Sequence, residues 1–220
     1  MITIAIDGPS GSGKGVVSEK LAKLLNIYHL DTGAIYRAIG LYCYENNIDA
    51  YSSEAVGAVL DKINIEIKFV NNEQYTYLNN ECVNSKIRTS IVSDYASRSS
   101  ALKIVRDKVR DIQRDFAKKH SVVMEGRDIT SEILPDAKYK FYLTASPEVR
   151  AKRRLRDLLE KGEKITFEQV LEDINERDYR DTHREYGALV LTQDSLLVNT
   201  DDYDIDQVVA ILYSKIDERV

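Results

Sequence analysis

The sequence has 220 residues, of which 43% are hydrophobic and 30% are charged, and its formal net charge is −5. That composition suits one soluble domain with a sizeable core and argues against a general nucleic-acid-binding protein, which would more often be basic. No apolar run reaches the ~18 residues of a membrane span, and no signal-peptide pattern is present. The only cysteines, Cys43 and Cys82, lack metal-site spacing and are typical of an intracellular protein. We therefore expect a cytoplasmic protein with no nucleic-acid or membrane partner.

The first predicted elements are a strand, a glycine-rich loop and a helix. Residues 2–7 form a short apolar run, and residues 8–15, the phosphate loop, read GPSGSGKG, close to the pattern G-x-x-x-x-G-K-[ST]. Backbone N–H groups of such a loop surround phosphate oxygens, and Lys14 adds a charge for the outer phosphates. The helix that follows has an apolar face of Val17, Leu21, Leu24 and Leu25. This order of elements predicts a site for ATP or GTP rather than an ordinary glycine-serine turn.

Gly15 occupies the loop position where a serine or threonine hydroxyl is expected. That hydroxyl normally helps to hold Mg²⁺, so the ion would depend on the nucleotide, water and acids elsewhere. A switch GTPase is disfavoured, also because the chain has no N-K-x-D motif for guanine. Kinases of small molecules, which hold two phosphorylated substrates, fit this loop better.

The rest of the chain predicts an α/β fold with an inserted hairpin. A strand at 63–70, a turn at 71–73 and a returning strand at 74–79 form the hairpin, and a long helix over 98–119 has a stripe of Leu102, Val105, Val109 and Ile112. Other predicted strands cover 121–126, 139–145 and 195–200, and other helices cover 34–47, 147–160, 166–180 and 204–218. Such alternation predicts a central parallel sheet covered by helices on both faces, in three layers, with ligands at the carboxyl ends of the strands.

A short motif after the first helix combines groups that suit a phosphate ligand. DTGAIYRA at 31–38 offers the hydroxyl of Thr32, the ring of Tyr36 and the guanidinium of Arg37, which favours bidentate phosphate contacts. The alternative interpretation is a helix N-cap, Asp31 or Thr32, followed by a solvated arginine. Taken alone, the motif does not decide between them.

A second motif ends a predicted buried strand. MEGRDI at 124–129 contains Glu125, Arg127 and Asp128. Acids at the end of a parallel strand beside a phosphate loop are placed to hold Mg²⁺ or its waters, and Glu125 could do so through water. The alternative is a turn with exposed charges, which the position on the ligand side of the sheet disfavours.

Two charged helices follow in the second half of the chain. ERDYRDTHRE at 176–185 places Arg177, Asp181 and Arg184 on one face, although this pattern alone is more typical of a helix with surface salt bridges. The run RAKRRLRD at 150–157 is either a solvated face or a flap that closes on triphosphate. Its basicity in an acidic protein slightly favours phosphate binding.

Taken in chain order, the motifs GPSGSGKG, LDTGAIYRA, YAS at 95–97, VR at 105–106, EGRDI and ERDYRDTHR resemble those of bacterial cytidylate kinases, a family of P-loop nucleoside monophosphate kinases. The resemblance covers essentially the whole chain and is more specific than any single motif. It implies one P-loop NTPase domain with a core at about 1–36, 96–147 and 185–220. It also implies a monophosphate-binding insertion at about 37–95, which contains the hairpin, and a mobile helical lid at about 148–184.

The resemblance further implies the reaction and its residues. The γ-phosphoryl group of ATP would pass to CMP or dCMP in the presence of Mg²⁺. The catalytic residues would be Lys14, Arg127, Arg184 and Asp128. ATP would be bound by Gly8, Pro9, Ser10, Gly11, Ser12, Gly13, Lys14, Gly15 and Arg154. CMP would be bound by Ser10, Thr32, Tyr36, Arg37, Ser97, Arg106, Arg127, Asp128, Arg177, Asp181 and Arg184.

The choice of base can be argued from the same residues. Cytosine presents an amino donor beside two acceptors, which Arg106 as donor and Asp128 or Ser97 as acceptor would match. Uracil reverses two of these groups and would leave a buried mismatch. Two alternatives stay open at this point: a P-loop kinase of UMP, AMP or a non-nucleotide acceptor, and a regulatory module that senses ATP without transfer. The many arginines favour a second phosphorylated ligand, and no pattern indicates an obligate protein partner, so we expect a monomer.

Three positions depart from the family's usual pattern. Thr130 and Ser131 follow the GRD motif where glycine and threonine are usual, and Ala188 replaces a usual proline after the lid. These two changes are expected to alter loop stiffness. Asn199 stands where an acid is usual in the last core strand, which would affect the adenine end of the ATP site.

Overall fold

The computed structural model describes residues 1–160 and 162–217, and its strands form two sheets. In chain order the strands are β1 (Thr3–Asp7), β2 (Tyr28–Asp31), β3 (Ile65–Val70), β4 (Glu73–Leu78), β5 (Glu81–Cys82), β6 (Val122–Gly126), β7 (Tyr139–Thr144) and β8 (Leu196–Asn199). Five strands form a parallel sheet in the order β2-β6-β1-β7-β8, and β3, β4 and β5 form a separate antiparallel sheet. The predicted parallel sheet and the predicted hairpin are both confirmed.

Helices cover both faces of the parallel sheet. In chain order the helices of the described residues are α1 (Lys14–Leu25), α2 (Thr32–Glu45), α3 (Ser53–Leu60), α4 (Ser90–Ser99), α5 (Lys103–Ala117), α6 (Pro147–Glu160), α7 (Phe167–His183) and α8 (Ile205–Asp217), of which α6 and α7 form a separate small core. Successive side chains of a strand point to opposite faces, so Ile4 and Ile6 of β1 join one apolar core with α1 and α8. Ala5 joins the other core, which includes the end of α5 and a π-helical turn at Ile129–Ile133. The result is the three-layer α/β arrangement that the sequence predicts.

Strand register brings the motifs of the sequence to one edge of the sheet. Asp7 at the end of β1 is paired with Gly126 of β6, and Asp31 at the end of β2 is paired with Glu125. The phosphate loop leaves the same end of β1. Residues that are about a hundred positions apart in sequence therefore meet where parallel strands end, the usual place for ligands in such sheets.

The polar helix predicted over 98–119 is confirmed for Lys103–Ala117, but its start is wrong, because the chain breaks at 100–102 and residues 98–99 belong to α4. Leu102 is the N-cap of α5, and it packs against the same apolar core as Val105, Val109 and Ile112. At this break, the carbonyl of Ser100 accepts a hydrogen bond from Nη1 of Arg106 at 3.0 Å. A buried guanidinium thus takes a backbone acceptor that an unbroken helix would use internally.

Other differences are smaller. Leu24 of the predicted apolar face of α1 is 57% exposed, whereas Val17 and Leu21 are buried in the core. The sequence did not indicate β2, α3 or β5, which are short, and the predicted end of the last helix at 218 lies outside the described residues. Among residues 1–160 and 162–217, no helix is both long and apolar enough to cross a membrane.

Candidate active site

The phosphate loop owes its shape to glycines in the left-handed region. Gly11 and Gly13 have φ of 79° and 86°, which residues with a Cβ rarely adopt. Gly13 is the N-cap of α1, so the unpaired N–H groups of the helix start belong to the loop. Lys14 is 8% exposed, and its Nζ donates to the carbonyl of Pro9 at 3.0 Å. Burial, together with nearby Arg127 and Arg177, lowers the pKa of Lys14 to about 7, so a bound phosphate would restore its charge.

The position of Glu125 explains why a glycine at position 15 is suited to this fold. A Cβ atom at Gly15 would lie 3.0 Å from Oε1 of Glu125, closer than van der Waals contact normally allows. Glu125 is 8% exposed, and its Oε1 lies 3.4 Å from Nε2 of His29. The carboxylate therefore lies beside the point where a serine or threonine side chain would begin.

The donor set at this point fits Mg²⁺ that is held mainly by nucleotide and water. Carboxylate oxygen is a ligand that Mg²⁺ prefers, and the ion usually keeps several waters and takes one or two carboxylates. Within residues 1–160 and 162–217, no group of three or more His, Cys, Asp or Glu side chains could hold a metal ion. Glu125 therefore fits a contact through water rather than membership of an all-protein metal site.

A cavity of about 250 Å³ lies beside the phosphate loop at the ends of β2 and β6. It is lined by all eleven residues that the sequence predicts for CMP and also by Lys14 and Arg154. The structure thus brings these side chains together from distant parts of the chain, although their individual roles stay predictions. The cavity is also lined by residues for which the sequence motifs predicted no ligand role, among them Asp31, Gly33, Arg88, Ser93, Ala96 and Ser100.

The lining of this cavity is strongly cationic in an acidic protein. Four carboxylates, on Asp31, Glu125, Asp128 and Asp181, face twice as many basic side chains. The basic residues are Lys14, Arg37, Arg88, Arg106, Arg127, Arg154, Arg177 and Arg184. An excess of positive charge in a partly closed cleft favours anionic ligands, and it exceeds what one phosphate group requires.

The carboxylates hold several of these arginines in place. Arg106 forms a buried ion pair with Asp128. Nε of Arg127 donates to Oδ2 of Asp181 at 2.7 Å, and Nη1 of Arg184 lies 3.6 Å from Oδ1 of the same carboxylate. Burial opposes ionisation of Asp181, but the surrounding arginines outweigh it and lower its pKa to about 2. The carboxylate is therefore charged throughout the neutral range.

Arg177 is a half-buried arginine of the cavity with an unused hydrogen-bond donor. Its Nε atom is buried without a hydrogen-bond partner. Burial and the nearby positive charge of Arg127 lower its pKa to about 10. A guanidinium with an unused buried donor beside an open cavity is suited to contact with an acidic ligand.

For the DTGAIYRA motif, the helix N-cap is confirmed, whereas phosphate binding stays a prediction. Asp31 is the N-cap of α2, and Oδ1 accepts from the N–H of Ala34 at 3.1 Å. Its Oδ2 accepts from Nη2 of Arg37 at 2.7 Å and from Nη2 of Arg88 at 3.3 Å. Asp31 therefore caps the helix and also holds two arginines at the edge of the cavity.

The interpretation of the run at 150–157 as a phosphate-binding flap is wrong for two of its four arginines, Arg150 and Arg153. Arg150 pairs with Asp178 at 2.5 Å and donates to the carbonyl of Ser10 at 3.1 Å. Arg153 donates to the carbonyl of Thr200 at 2.6 Å. Buried backbone and carboxylate acceptors satisfy these guanidiniums, which tie α6 to the phosphate loop and to α7. Of this run, only Arg154 lines the cavity.

The three unusual positions have distinct surroundings. The N–H and hydroxyl of Thr130 both donate to Oδ2 of buried Asp7, each at 2.7 Å, which fixes the turn after the GRD motif. Asn199 donates to Asp201 at 3.2 Å outside the cavity. Beside Ala188, Gly187 has φ of 62°, and a Cβ there would overlap the guanidinium of Arg106. The sequence did not indicate a role for Gly187, because its neighbouring residues do not show which side chain packs against it.

Comparison with known proteins identifies the family. A family model for cytidylate kinase matches residues 4–218. A cytidylate kinase of Caldicellulosiruptor saccharolyticus is 45% identical over 207 residues, covering 94% of this chain and 92% of the relative. One from Thermodesulfovibrio yellowstonii is 42% identical over 218 residues, covering 98% and 97%.

A solved structure of an uncharacterized protein from Eubacterium ventriosum shares the fold, with a TM-score of 0.54, 18% identity and 99% coverage of both chains. This likeness concerns the fold alone. The family match and the curated relatives each extend over more than nine-tenths of the chain, and the phosphate loop and cation-rich cavity agree with them. The chain therefore belongs to the cytidylate kinase family and is a kinase.

Proposed function

We propose that the cavity holds CMP or dCMP while the phosphate loop holds ATP. As a member of the cytidylate kinase family, the enzyme transfers the γ-phosphoryl group of ATP to CMP or dCMP, and the products are ADP and CDP or dCDP. The observation that carries the placement of the acceptor is the excess of arginines beside the loop. Neither another acceptor nor ATP sensing without transfer is favoured by the relatives.

The reaction needs neutralised charge and alignment more than proton transfer. The acceptor is a phosphate oxygen that is already ionised near neutral pH, because the second pKa of such a group is about 6. No general base is therefore required, and catalysis depends on positioning and electrostatic stabilisation. Lys14 and Arg154 act on the ATP side, whereas Arg37, Arg127 and Arg184 neutralise the acceptor phosphate. Mg²⁺ bound with ATP, and reached by Glu125 through water, would supply further neutralisation of the outer phosphates.

Recognition of cytosine is assigned to the wall that carries Arg106, Asp128 and Ser97. The Arg106–Asp128 pair presents a donor and an acceptor side by side. The hydroxyl of Ser97 is buried without a partner, so it is available to the exocyclic amino group. Tyr36 places its ring 5.6 Å from the guanidinium carbon of Arg106 and forms the adjoining wall. Asp181 and Arg177 would address the sugar hydroxyls.

Two parts of the chain would close around the substrates. The insertion, at about 37–95, includes the antiparallel sheet, and the lid, at about 148–184, includes α6 and α7, which share a small apolar core. Closure would exclude water, which otherwise competes as the acceptor. We further propose that the enzyme acts as a monomer in the cytoplasm.

A coupled assay of ADP release tests this function. ATP–Mg²⁺ would be supplied with CMP, dCMP, UMP, AMP or GMP, and each rate would be compared with the rate without acceptor. Turnover confined largely to CMP and dCMP supports both the reaction and the assignment of the cytosine wall. Equal activity on UMP would overturn that assignment, and ADP release that no acceptor stimulates would overturn the reaction itself.

A further inference from the structure

The hairpin contacts Asp31, the last residue of β2, through the side-chain amide of Gln74 in β4. Oε1 of Gln74 accepts from the backbone N–H of Asp31 at 2.8 Å, and Nε2 donates to the carbonyl of Asp31 at 3.2 Å. Because β2 is an edge strand of the parallel sheet, its outer backbone groups have no neighbouring strand in that sheet. The amide of Gln74 satisfies both groups of one residue, as an added strand would.

The residue that Gln74 holds is the one that orients two cavity arginines. Asp31 pairs with Arg37 and with Arg88, which lie in α2 and in the segment that precedes α4. Burial opposes ionisation of Asp31, but the two arginines outweigh it and lower its pKa. The carboxylate is therefore charged, and its position fixes where the arginines present their remaining N–H groups.

Gln74 is itself held in place by neighbouring groups of the insertion. Its carbonyl accepts from Nδ2 of Asn84 at 2.9 Å, and Oδ1 of Asn84 accepts from the N–H of Thr76 at 2.8 Å. Phe69, paired with Gln74 across the hairpin, has its ring 4.7 Å from that of Tyr28 in β2. Hydrogen bonds and apolar packing thus fix the amide against Asp31 from both sides.

We propose that Gln74 is a positioning residue for the acceptor phosphate, which acts through Asp31 on Arg37 and Arg88. This inference rests on the proposed function, in which Arg37 contacts the phosphate of CMP. Gln74 does not line the main cavity and does not touch the nucleotide. Gln74 sets the position of the two arginines. Its loss should therefore weaken binding of the phosphate of CMP but not binding of the base.

Steady-state kinetics of Gln74→Met and Gln74→Glu test the proposal. Methionine keeps the length and removes both hydrogen bonds to Asp31 and a third, from Nε2 to Oγ1 of Thr76 at 3.3 Å, whereas glutamate retains an acceptor and loses the donor. We expect the KM for CMP to rise about tenfold, since the loss of one or two hydrogen bonds has that order of effect, with kcat and the KM for ATP within about twofold. Lys68→Met, an exposed change in the same hairpin, is the matched control and should leave all three values unchanged.

A merely structural role would give a different pattern. Cytidine lacks the phosphate, so its inhibition constant should be the same in wild type and both Gln74 variants. An equal loss of cytidine and CMP binding, or an unchanged KM for CMP in both variants, would overturn the proposal. In a double-mutant cycle with Asp31→Asn, the effects on the KM for CMP should be clearly less than additive; full additivity would contradict action through Asp31.

Arg37→Met in the same assay separates this inference from the function on which it rests. If Arg37→Met raises the KM for CMP and the Gln74 variants do not, the proposal for Gln74 fails alone. If Arg37→Met leaves the KM for CMP unchanged, the placement of the acceptor phosphate fails, and the proposal for Gln74 fails with it.

Discussion

The two ends of the cavity are built in different ways. The phosphate loop is one continuous stretch, residues 8–15, in which backbone N–H groups and glycine dihedral angles determine the shape. The proposed acceptor end, which we define as Arg37, Arg88, Arg106, Arg127, Arg177 and Arg184, draws on distant segments, and carboxylates form ion pairs with five of these six arginines. A local backbone site depends on few side chains, whereas a dispersed site distributes its function over many. Loss of the single loop cation should therefore have a larger effect than loss of any one support at the acceptor end.

Lys14→Met should cause the largest loss of activity. Lys14 is the only cation within the phosphate loop, and removal of one charge-stabilising donor typically lowers kcat by about 10²–10³-fold. Lys20→Met, on the same helix but in an exposed ion pair with Asp206, is the control and should have little effect. Steady-state kinetics with CMP measure both. Similar losses in the two variants would contradict the special role of the loop cation.

Gly187→Ala should have the next largest effect and should act on the acceptor end alone. Its Cβ would displace the guanidinium of Arg106, and overpacking of this kind should lower kcat/KM for CMP by about 10- to 100-fold. Gly162→Ala shares a positive φ, 80°, but has open space around it. The control separates backbone strain from displacement of Arg106, so equal losses in both variants would argue against that displacement. The KM for ATP should be unchanged.

Ser97→Ala should have a moderate effect that is confined to the choice of base. Its buried hydroxyl has no protein partner, so its loss removes one contact to cytosine and lowers the preference for CMP over UMP by about fivefold. Ser93 lies one turn earlier in α4 and also lines the cavity, but its hydroxyl donates to the carbonyl of Thr89 at 2.8 Å. Ser93→Ala should keep the preference, and a loss of preference in both variants would refute the assignment.

The smallest expected effect is on the number of protons that the protein takes up when ATP binds. In the free protein the pKa of Lys14 is lowered to about 7, so the side chain is mostly neutral at pH 8 and mostly charged at pH 6. A bound phosphate raises that pKa, so ATP binding should take up more protons at pH 8 than at pH 6. Calorimetry in buffers of different ionisation enthalpy measures the uptake. The same uptake at both pH values would show that Lys14 does not titrate in this range.

The same contrast explains which features the sequence could predict. The phosphate loop and the strands β1, β6 and β7 follow from local pattern, because glycine dihedral angles and apolar runs are properties of neighbouring residues. The residues assigned to CMP came from the order of motifs along the chain, and they line one cavity. Even there, the local pattern did not show that Arg150 and Arg153 bind protein acceptors.

Features that depend on contacts between distant segments were not predictable. The need for glycine at 187 depends on the guanidinium of Arg106, which lies far earlier in the chain. In the sequence Gln74 is an ordinary polar residue of a strand, and only the fold places it beside the edge of β2. In each case the physical cause is a side chain from elsewhere in the chain, which no local pattern encodes.

A crystal structure with CMP and a non-hydrolysable ATP analogue would test the division of the cavity most directly. We expect the phosphates of the analogue on the phosphate loop, the CMP phosphate against Arg37 and Arg127, and the cytosine beside Arg106 and Ser97. A CMP molecule bound with its base at Arg37, or bound outside this cavity, would contradict the assignment of the acceptor end.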